Sequence, residues 1–203
     1  ILIFIAADKI GISSASIVAL LGSAGIAIGL ALQGSLANFA GGVLILVMKP
    51  FKVGDYVITG GGEGTVANIG LVYTTLTSPD NRKIVIPNGS MSDAPLTNVT
   101  GMGSRRLDLL VGISYNADLK LAKEILQKLF EEHPLVLKEE PIQVFVDSLG
   151  DSAVVIGGRA WTTSEDYWIT RWDITEAVKL EYDKAGIEIP FNQMDVHVIK
   201  RKE

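Results

Sequence analysis

The chain has 203 residues, 48% of them hydrophobic, with a net charge of −5 and no cysteine. A chain of this length predicts two or three domains. The negative balance, without any basic patch carrying interleaved aromatics, argues against nucleic acid as a partner, and the lack of cysteine excludes disulfides, thiol nucleophiles and cysteine metal sites.

Residues 1–7 are apolar, but no basic stretch precedes them and no convincing cleavage site follows, so they are not read as a signal peptide. Asp8 and Lys9 read as a loop at the outer membrane face. From Ile10 to Met48 no side chain is charged. At about 1.5 Å per residue against a hydrocarbon core of about 30 Å, this run is too long for one straight crossing. It predicts a spanning helix over residues 14–32 capped by Ser13 or Ser14, a break at Gln33 and Gly34, and a second helix over residues 35–48 that leaves the membrane axis. Pro50 ends that helix. Lys49 and Lys52 place the adjoining chain on the cytoplasmic side.

Set at about 100° per residue, the first helix shows distinct faces. Ala19, Ser23, Ala27 and Ala31 form a ridge of small side chains. Gly22, Gly25 and Gly29 form a groove on roughly the other side. One bulkier stripe holds Ile17, Leu21, Ile28 and Leu32. The other holds Ile26, Leu30 and Gln33, with Ala19 and Ser23 at its edge. Small residues let membrane helices approach closely, so ridge-in-groove copies of one helix close into a ring. The stripe ending in Gln33 then faces the lumen, with Ala19, Ser23 and Gln33 as pore-lining residues. On it Ile26 and Leu30 each form an apolar girdle that stops ions by dewetting. The same stripes also fit a Gly/Ala-rich helix buried in an ordinary bundle.

Between Val53 and Asn98 the pattern changes to short β-branched runs at residues 56–58, 64–69, 73–77 and 83–87, separated by turn residues. They predict a small barrel or curled sheet. Gly60, Gly61 and Gly62 lack the Gly-Lys-Ser/Thr ending of a phosphate loop and read as a hairpin turn. Asn88 and Gly89 are a candidate support for the second helix near Asn38, coupling it to the β domain.

From Arg105 the order is strand (105–113), helix (118–130), strands (142–148 and 154–161), helix (168–185) and strand (187–191), a βαββαβ ferredoxin-like α+β unit. Gly186 stops the second helix. Residues 195–200 alternate as a strand with no partner in their own domain. The titratable residues form no catalytic or metal pattern: His133 and His197 read as solvated surface groups, and Asp147, Asp151 and Asp166 as turn residues. Trp161, Trp168 and Trp172 read as core or interface anchors. No cofactor, metal or enzymatic activity is expected.

Residues 25–50, with the Pro50 to Asp55 segment and the Ile86-Pro87-Asn88-Gly89 motif, closely resemble the small-conductance mechanosensitive channel family, MscS, and in particular its pore-lining third helix. The resemblance extends from about Ser14 to the C-terminus and is looser beyond Gly101. It implies two earlier membrane helices, with residues 1–13 the end of the second and its loop, so that the chain reads as part of a longer protein. It further implies a pore helix over 14–49, an Sm-like β domain over 50–100, the ferredoxin-like domain over 101–192, and a strand over 193–203 that joins an intersubunit β-barrel. The family carries two leucine rings at the positions of Ile26 and Leu30. The implied protein is a homoheptamer in a prokaryotic inner membrane, multi-pass, with a hollow cytoplasmic vestibule. It contacts lipid, opens on rising membrane tension in hypoosmotic shock, and releases ions and small solutes. Two other readings stay open: a membrane-anchored ligand-sensing module, and a transporter or membrane enzyme. The latter predicts intramembrane ionisable groups, which residues 10–48 lack.

Overall fold

The structure, a computed structural model, describes residues 13–197. The expectations for residues 1–12, and for residues 198–203 of the final strand, lie outside it. The described chain divides into two compact units, with the division between Gly101 and Met102.

The N-terminal unit begins with one helix, α1 (Ser14–Met48), of 35 residues. Ser13 occupies its N-cap, but the hydroxyl makes no capping bond; only the carbonyl accepts, from the Ser16 N–H at 3.0 Å. The predicted break is absent: the helix runs through Gln33 and Gly34 without interruption. A glycine costs a helix about 1 kcal/mol relative to alanine. Good helix formers, Ala31 and Leu32 before it and Leu36 and Ala37 after it, surround Gly34, and one such cost does not interrupt the helix; Asn38 Nδ2 donates to the Gly34 carbonyl at 2.9 Å within the turn that follows. The helix ends at Lys49, whose N–H still donates to the Ile45 carbonyl and whose left-handed backbone (φ 49°) then turns the chain away.

An antiparallel sheet follows: β1 (Tyr56–Thr59), β2 (Gly62–Ile69), β3 (Tyr73–Thr77), β4 (Lys83–Pro87), then the short helix α2 (Asn88–Asp93) and β5 (Thr97–Asn98). Its strand order is β4-β3-β2-β1-β5, and among the described residues β4 and β5 do not pair, so the sheet is open and no closed barrel forms. Gly60 and Gly61 make the two-residue β1–β2 turn, closed by Thr59, whose hydroxyl donates to the Gly62 carbonyl and accepts from the Gly61 N–H. A register shift between Val66 and Asn68 returns Ile69 toward the core after Val66. Val57, Val66, Leu76, Ile86 and Met91 make that core, joined by Phe51 and by Ile45 from α1.

The C-terminal unit contains β6 (Ser104–Ile113), α3 (Leu119–Glu132), β7 (Gln143–Leu149), β8 (Val154–Thr163) and α4 (Tyr167–Lys184). Asp118 caps α3 by accepting from the N–H groups of Lys120 and Leu121. The three-stranded sheet has the order β6-β8-β7, and its core joins Leu107, Leu126, Phe130, Ile156, Ile174 and Tyr182. The predicted closing strand over 187–191 does not form. Ile187 is buried and the Ser114 N–H donates to the Glu188 carbonyl, but no ladder follows. In that register Pro190 would face Gly112, and proline has no N–H to donate. The unit is therefore βαββα with an irregular tail, and residues 195–197 are likewise irregular.

Candidate functional site

The residues with functional promise on sequence grounds lie on α1. Across residues 18–37 every side chain is exposed. Ile26 and Leu30 are each 68% exposed, far beyond what a water-facing leucine or isoleucine tolerates along a whole helix. Ala19, Ser23, Ala27 and Ala31 touch no other element of the described chain. A methyl group built on Gly22, Gly25, Gly29 or Gly34 would meet nothing within 4 Å. The Ser23 hydroxyl donates to the Leu20 carbonyl at 2.9 Å, so its proton is engaged within the helix. The faces carrying Ala19, Ser23, Ala27 and Ala31, Gly22, Gly25 and Gly29, and Ile26, Leu30 and Gln33 are thus all exposed in the described chain. The helix is apolar enough to cross a membrane over Ala15–Met48.

Below Ala37 the environment changes. Asn38 uses both ends of its carboxamide: Nδ2 donates to Gly34 O, and Oδ1 accepts from the Gly89 N–H at 3.0 Å. Asn88 is fully buried, and a buried amide is stable only when it is satisfied. Its Nδ2 donates to the Gly70 carbonyl (2.8 Å), its Oδ1 accepts from the Thr74 hydroxyl (2.8 Å), and its N–H donates to the Val72 carbonyl (2.9 Å). Asn88 therefore holds the start of α2 against the β2–β3 turn and β3, presenting the Gly89 N–H to α1.

Gly41 and Gly42, which sequence reasoning missed, complete this seat. A methyl group on Gly41 would lie 2.7 Å from the carbonyl of Asn88 and the nitrogen of Gly89. One on Gly42 would lie 2.4 Å from the Leu71 carbonyl oxygen. Only glycine lets the α1 backbone lie against these backbones. One turn on, Ile45 is 2% exposed in the β-domain core. The available signal was the Gly-Gly pair one turn after Asn38, in a helix otherwise free of paired glycines.

Elsewhere the described residues hold no group of three or more His, Asp or Glu placed to bind a metal. His133 is not a solvated surface residue: its side chain is 12% exposed, with Nε2 3.6 Å from Asp173 Oδ2 and Nδ1 accepting from the Leu135 N–H. Asp166 accepts from the Thr163 hydroxyl at 2.7 Å and holds the turn into α4. Trp168 and Trp172 are not core residues; they stack on each other at 6.0 Å on the outer face of α4, 54% and 62% exposed.

Residues 34–101 match the family model of the mechanosensitive ion channel β-domain, and residues 107–189 that of the mechanosensitive ion channel MscS C-terminal domain. An uncharacterized MscS family protein of Buchnera aphidicola is 42% identical over 200 residues, which cover 98% of this chain and 66% of that protein. The small-conductance mechanosensitive channel of Helicobacter pylori is 31% identical over 195 residues, 96% of this chain and 71% of the relative. The chain thus spans about two thirds of the length of such relatives. The crystal structure of Helicobacter pylori MscS in its closed state superposes with a TM-score of 0.88 at 30% identity, covering 98% of this chain and 79% of that one.

Proposed function

The chain belongs to the MscS family of mechanosensitive ion channels, and on that premise we propose that it is a subunit of a ring whose pore is lined by α1 and opens under membrane tension. The observation that carries this reading is the contrast within α1. Residues 18–37 are charge-free and wholly uncovered, while Asn38 to Ile45 are locked onto a folded β domain. An uncovered apolar helix needs lipid and copies of itself around it, and the two small-residue faces suit close packing on both sides. A heptamer is the family's arrangement.

In this ring Ile26 and Leu30 are the apolar constriction and Ala19, Ser23 and Gln33 line the lumen. The ridge Ala19, Ser23, Ala27 and Ala31 packs into the neighbour's groove of Gly22, Gly25 and Gly29. Asn38, Asn88 and Gly89 couple the pore helix to the β domain, and Gln33 with Gly34 forms the candidate bending point. The likeness to a closed-state structure supports reading the present arrangement as closed. The protein would sit in a prokaryotic inner membrane with its β and α+β units in the cytoplasm, the C-terminal segments of the subunits joining in a barrel. It would open in hypoosmotic shock and release ions and small solutes without enzymatic chemistry.

Reconstituting the full-length protein in liposomes and applying suction to excised patches tests the proposal. Tension-gated openings are expected. A correctly assembled protein that never conducts under tension would overturn it and favour the ligand-sensing alternative.

A further inference from the structure

Just past α1 a second set of hydrogen bonds holds the chain. Phe51 is buried in the β-domain core, which fixes the depth of this exit. The Lys52 N–H donates to Asp55 Oδ2 at 2.9 Å, closing a tight loop between the helix and β1. The same oxygen accepts from Asn98 Nδ2 at 2.8 Å, and that Nδ2 also lies 3.3 Å from the Pro50 carbonyl. At its other end, Asn98 Oδ1 accepts from the Gly101 N–H at 2.9 Å. A methyl group on Gly101 would lie 2.7 Å from Asn98 Nδ2, so the chain passes tightly over this amide. Nearby, the Tyr56 N–H donates to the Thr100 hydroxyl at 2.9 Å.

One side-chain amide therefore touches two separate pieces of backbone, the exit of α1 at Pro50 and Gly101, and the Asp55 carboxylate just before β1. Gly101 is the last residue of the N-terminal unit, and the C-terminal unit begins at the next position. The sheet alone does not explain this arrangement. β5 has only two residues at the sheet edge, pairing with β1 at Val57 and Ile58. The bond to Asp55 is charge-assisted and so stronger than its neutral neighbours. It sets the rotamer of Asn98, which then has one end free for Gly101.

We propose that Asn98, oriented by Asp55, is a positioning residue that ties the exit of the pore helix to the Gly101 turn that precedes the C-terminal unit, so that displacement of either is felt by the other. The inference rests on the channel reading above. It differs from the seat at Asn38, Gly41 and Gly42, which holds the helix against α2 and the β2–β3 turn; the Asn98 tie holds the opposite end of the docked segment. Both Asn98 and Asp55 are partly exposed, so truncating either leaves no buried cavity.

The test uses full-length protein in liposome patches, with Asn98→Ala, Asp55→Ala, the double variant, and Asp55→Asn, which keeps a carbonyl acceptor. In the closed arrangement inferred above, cutting the tie releases the helix exit. Asn98→Ala and Asp55→Ala are each expected to shift the open-to-closed ratio at fixed tension toward open by roughly tenfold, the scale of one lost charge-assisted hydrogen bond. The double variant should fall well short of the sum of the two single shifts, because the Asp55–Asn98 bond is common to both. Asp55→Asn should stay within about twofold of wild type, since the geometry survives. A purely structural role would lower the melting temperature of the assembled protein and leave the gating ratio unmoved, and that result would overturn the tie. So would fully additive effects in the double variant, or an Asp55→Asn shift as large as that of Asp55→Ala. Should Asn98→Ala not assemble, Asp55→Ala carries the same decision, because it leaves the Asn98 bond to Gly101 in place. Wild-type protein that never conducts would instead sink the channel reading itself.

Discussion

The backbone N–H of Gly89 donates to Asn38 Oδ1 at 3.0 Å, joining residues 51 positions apart. The contact leaves little room: a methyl group on Gly89 would lie 3.0 Å from the same oxygen. Asn38 is also bonded to Gly34 O, so a displacement of α2 reaches the helix four residues above.

The seat beneath this contact gives the first prediction. Gly41→Ala places a methyl group 2.7 Å from backbone atoms of Asn88 and Gly89, and backbone cannot move aside as a side-chain tip can. Overpacking of this kind costs about 1–3 kcal/mol. We expect Gly41→Ala to lower the thermal stability of the purified protein and to change its opening tension. Unchanged values of both would show that α1 does not depend on this seat.

Gly34→Ala makes the opposite test. The site has open space on all sides in the single chain, so alanine adds no clash and strengthens the continuous helix by about 1 kcal/mol. The state with an unbroken α1 should gain roughly fivefold in population over any state bent at Gly34. Patch recordings of opening, closing and recovery would register the shift, and wild-type behaviour in all three would remove Gly34 from gating.

The ring contacts are tested by Gly29→Ala and Ala27→Val. Among the described residues nothing lies within 4 Å of a methyl group at Gly29, so any clash made by Gly29→Ala is with a group outside them. In a ridge-in-groove ring the added volume costs about 1–3 kcal/mol per contact. Altered opening tension is expected for both variants. Wild-type thresholds for the pair would refute the assignment of ridge and groove.

Leu30→Ser separates a gate from a packing position. At a packing site the loss of buried contacts costs about 2–5 kcal/mol and gives poor assembly. At an apolar constriction the hydroxyl wets the pore and leaves the ring assembled but leaky. We predict slow growth of cells expressing Leu30→Ser and openings at little or no applied tension. An assembled variant that stays silent until normal tension is reached would exclude Leu30 from the gate.

Tyr182 offers a pH measurement in the C-terminal unit. It is fully buried, its hydroxyl donates to the Ala122 carbonyl at 3.0 Å, and burial pushes its pKa from 10.0 up to about 12. The folded state thus holds this proton more tightly than the unfolded chain. The associated stability is complete below about pH 10 and is lost as the pH rises toward 12. Denaturant midpoints of the full-length protein should fall across that window, and the fall should be smaller in Tyr182→Phe. Equal slopes in the two proteins would show that Tyr182 does not titrate with unfolding.

Much of this was legible in the sequence because its signals are local. A charge-free run, the glycine turn at Gly60 and Gly61, and the helical spacing of Leu119, Ala122, Ile125, Leu126 and Leu129 each act over a few residues. The pairing of Asn38 with the Asn88–Gly89 turn was an expectation from the sequence, and the structure brings Asn38 and Gly89 together. Gly34 looked like a break because the cost of one glycine was weighed without the good helix formers on both sides of it. The other failures depended on distant backbone. Residues 187–191 looked like a strand because alternation does not reveal that Pro190 falls opposite Gly112. Gly41 and Gly42 were not singled out, because their use appears only when Asn88 and Leu71 are seen against them. The exposed Trp168 and Trp172 show the same limit, since aromatic residues at helical spacing suit a core or an outer face equally.

The unbroken course of α1 has a mechanical consequence. Fixed from Asn38 to Ile45 and uncovered above, the helix is a cantilever with a free arm of roughly 36 Å, taking about 1.5 Å per residue over residues 14–37. A tilt of about 10° at the fixed end displaces the far end by about 6 Å on the same geometry. In the proposed ring, a small change of angle at the seat is therefore magnified along the arm into a lateral movement of the far end. The stiffness of the lever lies in its hydrogen-bonded backbone, and the setting of its angle lies with Asn38, Gly41 and Gly42.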